Sequence, residues 1–78
     1  MGKVVIYTAP FCKYCQLAKD YFFRKGINFE EKDVLADSVA MQEMVGKSHQ
    51  MGVPVIEIDD EIFVGFDRKA IARKLGIS

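Results

Sequence analysis

A chain of 78 residues fits one domain, spanning residues 1–78. Half of its residues are hydrophobic and 28% are charged, an ordinary globular balance that argues against intrinsic disorder. Eleven basic residues cancel eleven acidic ones, without the basic excess of a small nucleic-acid binder, and no apolar run approaches the roughly 18 residues of a membrane span.

The N-terminus reads Met1-Gly2-Lys3 and passes at once into Val4-Val5-Ile6-Tyr7. This run is too short for a signal-peptide core. Gly2 invites an N-myristoylation reading, but that pattern asks for Ser or Thr at the sixth position, where this chain has Ile6. The cytoplasm is therefore the expected location, and there a cysteine pair is more often catalytic or metal-binding than a permanent staple.

Lys3 to Tyr7 is β-branched and aromatic and ends ahead of Pro10, which predicts a buried strand. From Cys12 to Lys25 the apolar residues recur at helical spacing: Cys15, Ala18 and Phe22 form one stripe, with Leu17 and Tyr21 beside it. Arg24 and Lys25 suit the negative end of that helix, and Gly26 suits its cap. Ile27, Phe29 and Glu31 alternate with polar residues and predict a second strand. Asp37 or Ser38 can cap a second helix whose apolar face holds Met41, Met44 and Val45. Val55–Ile58 and Glu61–Val64 read as a hairpin around the Asp59-Asp60 turn. Asp67 caps a last helix that runs to Leu75, followed by Gly76. The order βαβ, α, ββα describes an α/β fold. Its first unit is expected to be a right-handed crossover between parallel strands.

The chemistry centres on Cys12-Lys13-Tyr14-Cys15, where a helix is expected to begin. Cysteines three apart at a helix start lie about one turn from each other, close enough to form a disulfide reversibly. Cys12 at the helix end would be the more exposed, and Cys15 the shielded one. The thiolate is the reactive species, and a thiol with a pKa near 8.5 is only about 3% ionised at pH 7. The positive end of a helix contributes roughly 0.3–2 kcal/mol to an anion there, and Lys13 pushes the same way. A static staple is the rival reading. Closing so short a loop removes chain entropy worth only about 2 kcal/mol. A zinc or iron–sulfur half-site is the second rival, but a closed zinc site uses four ligands, and the chain offers two cysteines and His49.

With the strand–CxxC–helix order in place, the chain resembles the glutaredoxins over nearly its whole length. Val4 to Cys15 resembles the family's first strand and active site. Gly52-Val53-Pro54 resembles its Thr-Val-Pro segment, and Gly65-Phe66-Asp67 sits where the family carries a Gly-Gly turn followed by Asp. A first strand beginning at residue 3 is nearer to glutaredoxin than to thioredoxin, which carries a further strand and helix ahead of this core. The resemblance implies a thioredoxin-like fold: a four-stranded mixed sheet flanked by three helices. It implies that Cys12 is the nucleophile and Cys15 the resolving thiol, and that Pro54 is cis beside them. The Val53 backbone would pair with an incoming thiol peptide. Tyr14, Phe66 and Asp67 would line the glutathione groove, and the charges of Lys13 and Arg68 make them further candidates to contact glutathione or another partner.

The chain departs from the family pattern at four places. Lys13 stands where Pro is common, Ala9 where Lys is common, Gly52 for a Thr, and Val64 for the first Gly of the pair. Gly65-Phe66 instead resembles the glutaredoxin-like redoxins that donate electrons to ribonucleotide reductase and are served by thioredoxin reductase.

Other residues have blander readings. His49, in Ser48-His49-Gln50, reads as a solvated loop residue rather than a base. Met41 and Met44 read as core filler. Phe11 either packs over the first strand or stands out as a docking residue beside Cys12, and its position favours docking. Arg68, Lys69, Arg73 and Lys74 form a basic face suited to the end of the last helix, with Arg68 the best placed for an acidic donor or a glutathione carboxylate.

The resulting expectation is a monomeric dithiol oxidoreductase that reduces protein disulfides or glutathione mixed disulfides. It would hold no metal and no tightly bound cofactor, with glutathione or a thioredoxin-reductase-type donor supplying electrons. The alternative is an iron–sulfur carrier in which paired chains hold a cluster through Cys12.

Overall fold

The computed structural model describes residues 3–77. The Gly2 position discussed above therefore lies outside the described residues. The element order is β1 (Val4–Thr8), α1 (Lys13–Arg24), β2 (Glu30–Asp33), α2 (Ser38–Ser48), β3 (Val55–Ile58), β4 (Glu61–Val64) and α3 (Arg68–Leu75). The four strands form one mixed sheet in the order β2-β1-β3-β4. β1 runs parallel to β2 and antiparallel to β3, and β3 and β4 form the antiparallel hairpin.

β1 is the spine of the molecule because all five of its residues are buried. Strand side chains alternate between faces. Val4 and Ile6 accordingly enter one core with Ala18, Phe22, Ile56, Ile58, Phe63 and Ile71, beneath α1 and α3. Val5 and Tyr7 enter the other, with Val34, Ala40, Met44 and Val55, beneath α2. Burying a side chain such as Phe22 or Ile71 is worth about 1.5–3 kcal/mol, so these two layers fix the helices to the sheet. Met41 and Val45 pack at the edge of the second layer, in the filler role their spacing suggests.

The structure moves several expected boundaries. The second strand is Glu30–Asp33 rather than the Ile27–Glu31 alternation. Gly26 takes a left-handed conformation (φ 68°) that ends α1, and the Ile27 N–H bonds back to the Phe22 carbonyl. Ile27 and Phe29 pack against the first core from this exit segment. Ladder pairing begins only where Glu30 meets Val5, so the strand itself is the polar sequence Glu-Glu-Lys-Asp on a sheet edge. β1 is shifted by one residue to include Thr8. α1 begins at Lys13, with Cys12 as its N-cap. Asp37, not Ser38, caps α2, accepting from the N–H groups of Val39 and Ala40. Leu17, beside the buried Cys15-Ala18-Phe22 stripe, is exposed. His49 is exposed, as a solvated loop residue would be, and it also closes α2 in a left-handed conformation.

Candidate functional site

Cys12 and Cys15 are joined as a disulfide, with Cα atoms 5.2 Å apart. Their environments differ. Cys12 is half-buried at the N-cap of α1, where backbone N–H groups lack helical partners. The Cys12 sulfur accepts a hydrogen bond from the Cys15 N–H at 3.2 Å, and the Cys12 carbonyl accepts from the Gln16 N–H at 3.1 Å. Cys15 lies one turn further on and is fully buried with Ala18 and Phe22. Lys13 and Tyr14, between the two sulfurs, are both exposed.

The sheet carries the other segments to the same end of the molecule. Tyr7 pairs with Val55 in antiparallel register, so Val53 and Pro54 lie level with the end of β1 and the loop that leads to Cys12. The Val53–Pro54 peptide is cis, and Pro54 is fully buried. Among the described residues, no hydrogen bond falls on the Val53 backbone N–H or carbonyl. The Pro54 carbonyl accepts from the Gly65 N–H at 2.8 Å, which fastens the β4–α3 turn to this segment. Gly65 has φ 82°, a conformation favouring glycine. Next to it, Phe66 is half-buried against Tyr21 of α1, with ring centroids 5.7 Å apart, so its ring contributes to packing as well as to the surface. Asp67 caps α3 by accepting from the Ala70 N–H at 3.2 Å, and Arg68 is exposed at the first position of that helix.

Phe11 settles its two readings in favour of exposure. Its side chain is fully in solvent, and its backbone has φ 62°, uncommon for a bulky residue. Met51 and Val64 are also exposed. Two features escaped the sequence reading. Thr8 is buried, and its hydroxyl donates to Glu31 at 2.9 Å while the Lys19 ammonium donates to the same oxygen at 2.8 Å. The Lys19 hydrogen bond holds the Glu31 carboxyl below its ordinary range, against a smaller upward push from burial. Gln50, named only as the end of the Ser48-His49-Gln50 loop, is half-buried and hydrogen-bonded to Ser48 and Gly52. Gly52 in place of a side-chain-bearing residue was the available signal.

A cavity of about 360 Å³ lies elsewhere, lined by Lys3, Tyr7, Lys32, Lys47, Glu57 and their neighbours. Within it the Lys47 ammonium lies 2.7 Å from Glu57, and neither cysteine is among its lining residues. The candidate chemistry therefore concentrates around the disulfide rather than in this cavity.

The family model for glutaredoxin matches residues 4–64, which include both cysteines and the Val53–Pro54 segment. The chain belongs to the glutaredoxin family. It is 41% identical over 68 residues to an uncharacterized glutaredoxin-like 8.6 kDa protein in the rubredoxin operon of Clostridium pasteurianum, covering 87% of this chain and 91% of that protein. It is 36% identical to glutaredoxin 3 of Escherichia coli (strain K12) over 67 residues, 86% of this chain and 81% of that one. The glutaredoxin-like NrdH-redoxin of Escherichia coli, described as having a thioredoxin-like activity profile, superposes with a TM-score of 0.80 at 27% identity, covering 91% of this chain and 92% of its own. The four-stranded sheet with three helices is thus the thioredoxin-like fold. Glutaredoxin membership and the Cys12–Cys15 pair together support thiol–disulfide oxidoreductase chemistry. No helix among the described residues is long and apolar enough to cross a membrane.

Proposed function

We propose that this glutaredoxin reduces protein disulfides or glutathione mixed disulfides through Cys12 and Cys15. The observation that carries the reading is the asymmetry of the pair: a half-exposed sulfur at a helix N-terminus, with a backbone N–H aimed at it, beside a fully buried one. The Cys12 thiolate attacks one sulfur of the substrate disulfide. That bond breaks, the departing thiolate takes a proton from solvent, and a Cys12 mixed disulfide remains. Cys15 then loses its proton and attacks the Cys12 sulfur, releasing the second substrate thiol. The substrate has gained two electrons, and the protein is left in the disulfide state described above.

Within this reading, the free Val53 backbone pairs with the extended segment carrying the substrate sulfur. Lys13, Tyr14, Phe66, Asp67 and Arg68 flank that segment, and Phe11 serves as a docking side chain. The electron donor is glutathione or a thioredoxin-reductase-type enzyme, and the protein acts as a cytoplasmic monomer without a tightly bound cofactor. Insulin reduction by the wild type and by Cys12→Ser tests the proposal. Full activity in Cys12→Ser would overturn it. Visible absorbance of the freshly purified protein would instead support the cluster-carrier reading.

A further inference from the structure

We propose that Gln50 is a positioning residue that holds the Val53 backbone in place for the incoming substrate segment, through a side-chain clamp that requires glycine at position 52. The inference rests on the reading that Val53 pairs with substrate. The Gln50 amide bonds to both backbone groups of Gly52: its Oε1 accepts from the Gly52 N–H at 2.6 Å, and its Nε2 donates to the Gly52 carbonyl at 3.1 Å. The remaining Nε2 hydrogen reaches the Ser48 hydroxyl, also at 3.1 Å. That hydroxyl lies 2.6 Å from the Met44 carbonyl, inside the last turns of α2. The Gln50 amide is therefore anchored to a packed helix on one side and grips the loop on the other.

The geometry explains why position 52 lacks a side chain. A Cβ there would stand 2.8 Å from Gln50 Oε1, closer than such atoms approach. The atom in the way is the end of a flexible side chain, so a larger residue would expel the amide and leave the backbone where it is. Gly52 does not need glycine for a left-handed φ, because its backbone lies outside that region. The clamp also divides the loop. Gly52 has both polar backbone groups engaged, whereas Val53, the next residue, has both free among the described residues. An incoming strand is thus offered one residue's worth of backbone, held on one side by Gln50 and on the other by the Pro54–Gly65 hydrogen bond. Met51, between Gln50 and the Gly52 it grips, is left exposed.

The test is steady-state reduction of insulin by wild type, Gln50→Ala, Gly52→Ala and the double variant, with Cys12 alkylation followed against pH in each. Gln50→Ala is expected to raise KM about fivefold, the scale of one neutral hydrogen bond. kcat and the Cys12 alkylation profile should hardly change. Gly52→Ala is expected to match it, because it removes the same clamp, and the double variant to add nothing further. An unchanged KM in Gln50→Ala, or additive effects in the double variant, would overturn the inference. Hydrogen exchange of the Gly52 amide gives a readout independent of turnover and should quicken about fivefold in Gln50→Ala. If the wild type reduces no disulfide, the proposed function fails, and the exchange measurement still decides whether the clamp exists. Unchanged exchange in Gln50→Ala would show that it does not.

Discussion

The backbone N–H of Cys15 points at the sulfur of Cys12 from 3.2 Å. A donor so placed favours a negative charge on that sulfur, and the helix N-terminus around it acts in the same direction. In the reduced protein, Cys12 should therefore ionise below the ordinary thiol value of about 8.5. Cys15, enclosed by Ala18 and Phe22, should not. Iodoacetamide alkylation against pH, mapped by mass spectrometry, reads both thiols. Labelling of Cys15 ahead of Cys12 at neutral pH would reverse the assignment.

Gly65 supplies the second prediction. Its φ of 82° lets its N–H reach the Pro54 carbonyl, and no atom crowds the space a Cβ would take. Gly65→Ala should therefore fit sterically and cost only backbone strain, about 1–2 kcal/mol. Urea denaturation should show a lowered midpoint with an unchanged slope. A variant as stable as wild type would mean that the turn relaxes without loss.

Stability should also carry an acid-sensitive part from Glu31. Its hydrogen bond from Lys19 lowers its folded-state pKa, so the contribution is present above the unfolded value of about 4.3 and is lost as pH falls through the depressed value. The Glu31 side chain is 42% exposed, which limits the effect to about 0.2–1 kcal/mol. Glu31→Gln should be less stable than wild type by that amount at neutral pH. Unfolding midpoints of the two proteins should converge on acidification, and a constant gap down to strongly acidic pH would assign the difference to packing instead.

A fourth prediction concerns the electron donor. Ala9 presents no cation where glutaredoxins often carry Lys, and an exposed charge-assisted contact is worth about 0.2–1 kcal/mol. Glutathione should thus support turnover, several-fold less well than for a typical dithiol glutaredoxin. Ala9→Lys should lower the glutathione concentration needed for half-maximal rate and leave turnover by a thioredoxin-reductase-type donor nearly unchanged. Wild-type glutathione turnover equal to that of the typical enzyme, with none from the reductase, would remove the significance of Ala9 and of the Gly65-Phe66 turn.

The fold was legible in the sequence wherever burial is one-sided or complete. Val4–Tyr7, Cys15-Ala18-Phe22 and the Asp59-Asp60 hairpin announce themselves by spacing and turn chemistry. β2 was displaced because its ladder is formed by polar edge residues, while the apolar Ile27 and Phe29 that drew attention pack from the exit of α1. At the candidate site, the CxxC spacing was readable as a local motif, and the Val53-Pro54 segment only through its resemblance to the glutaredoxins. The Gln50 clamp was not, because two polar residues and a glycine in a loop look the same whether solvated or engaged. Thr8 was missed for the same reason: only its tertiary partner, Glu31 on β2, shows why a hydroxyl is buried there.

The most direct test of the central claim is to trap the intermediate. Reduced Cys15→Ser and Cys12→Ser proteins would each be mixed with a disulfide-bonded protein and examined by non-reducing mass spectrometry. Attack needs only Cys12, and release of a protein partner needs the second thiol. Cys15→Ser should therefore accumulate a mixed disulfide mapped to Cys12, cleared by added glutathione, while Cys12→Ser should form none. An adduct on Cys15 in Cys12→Ser, or the absence of any adduct in Cys15→Ser, would contradict the account.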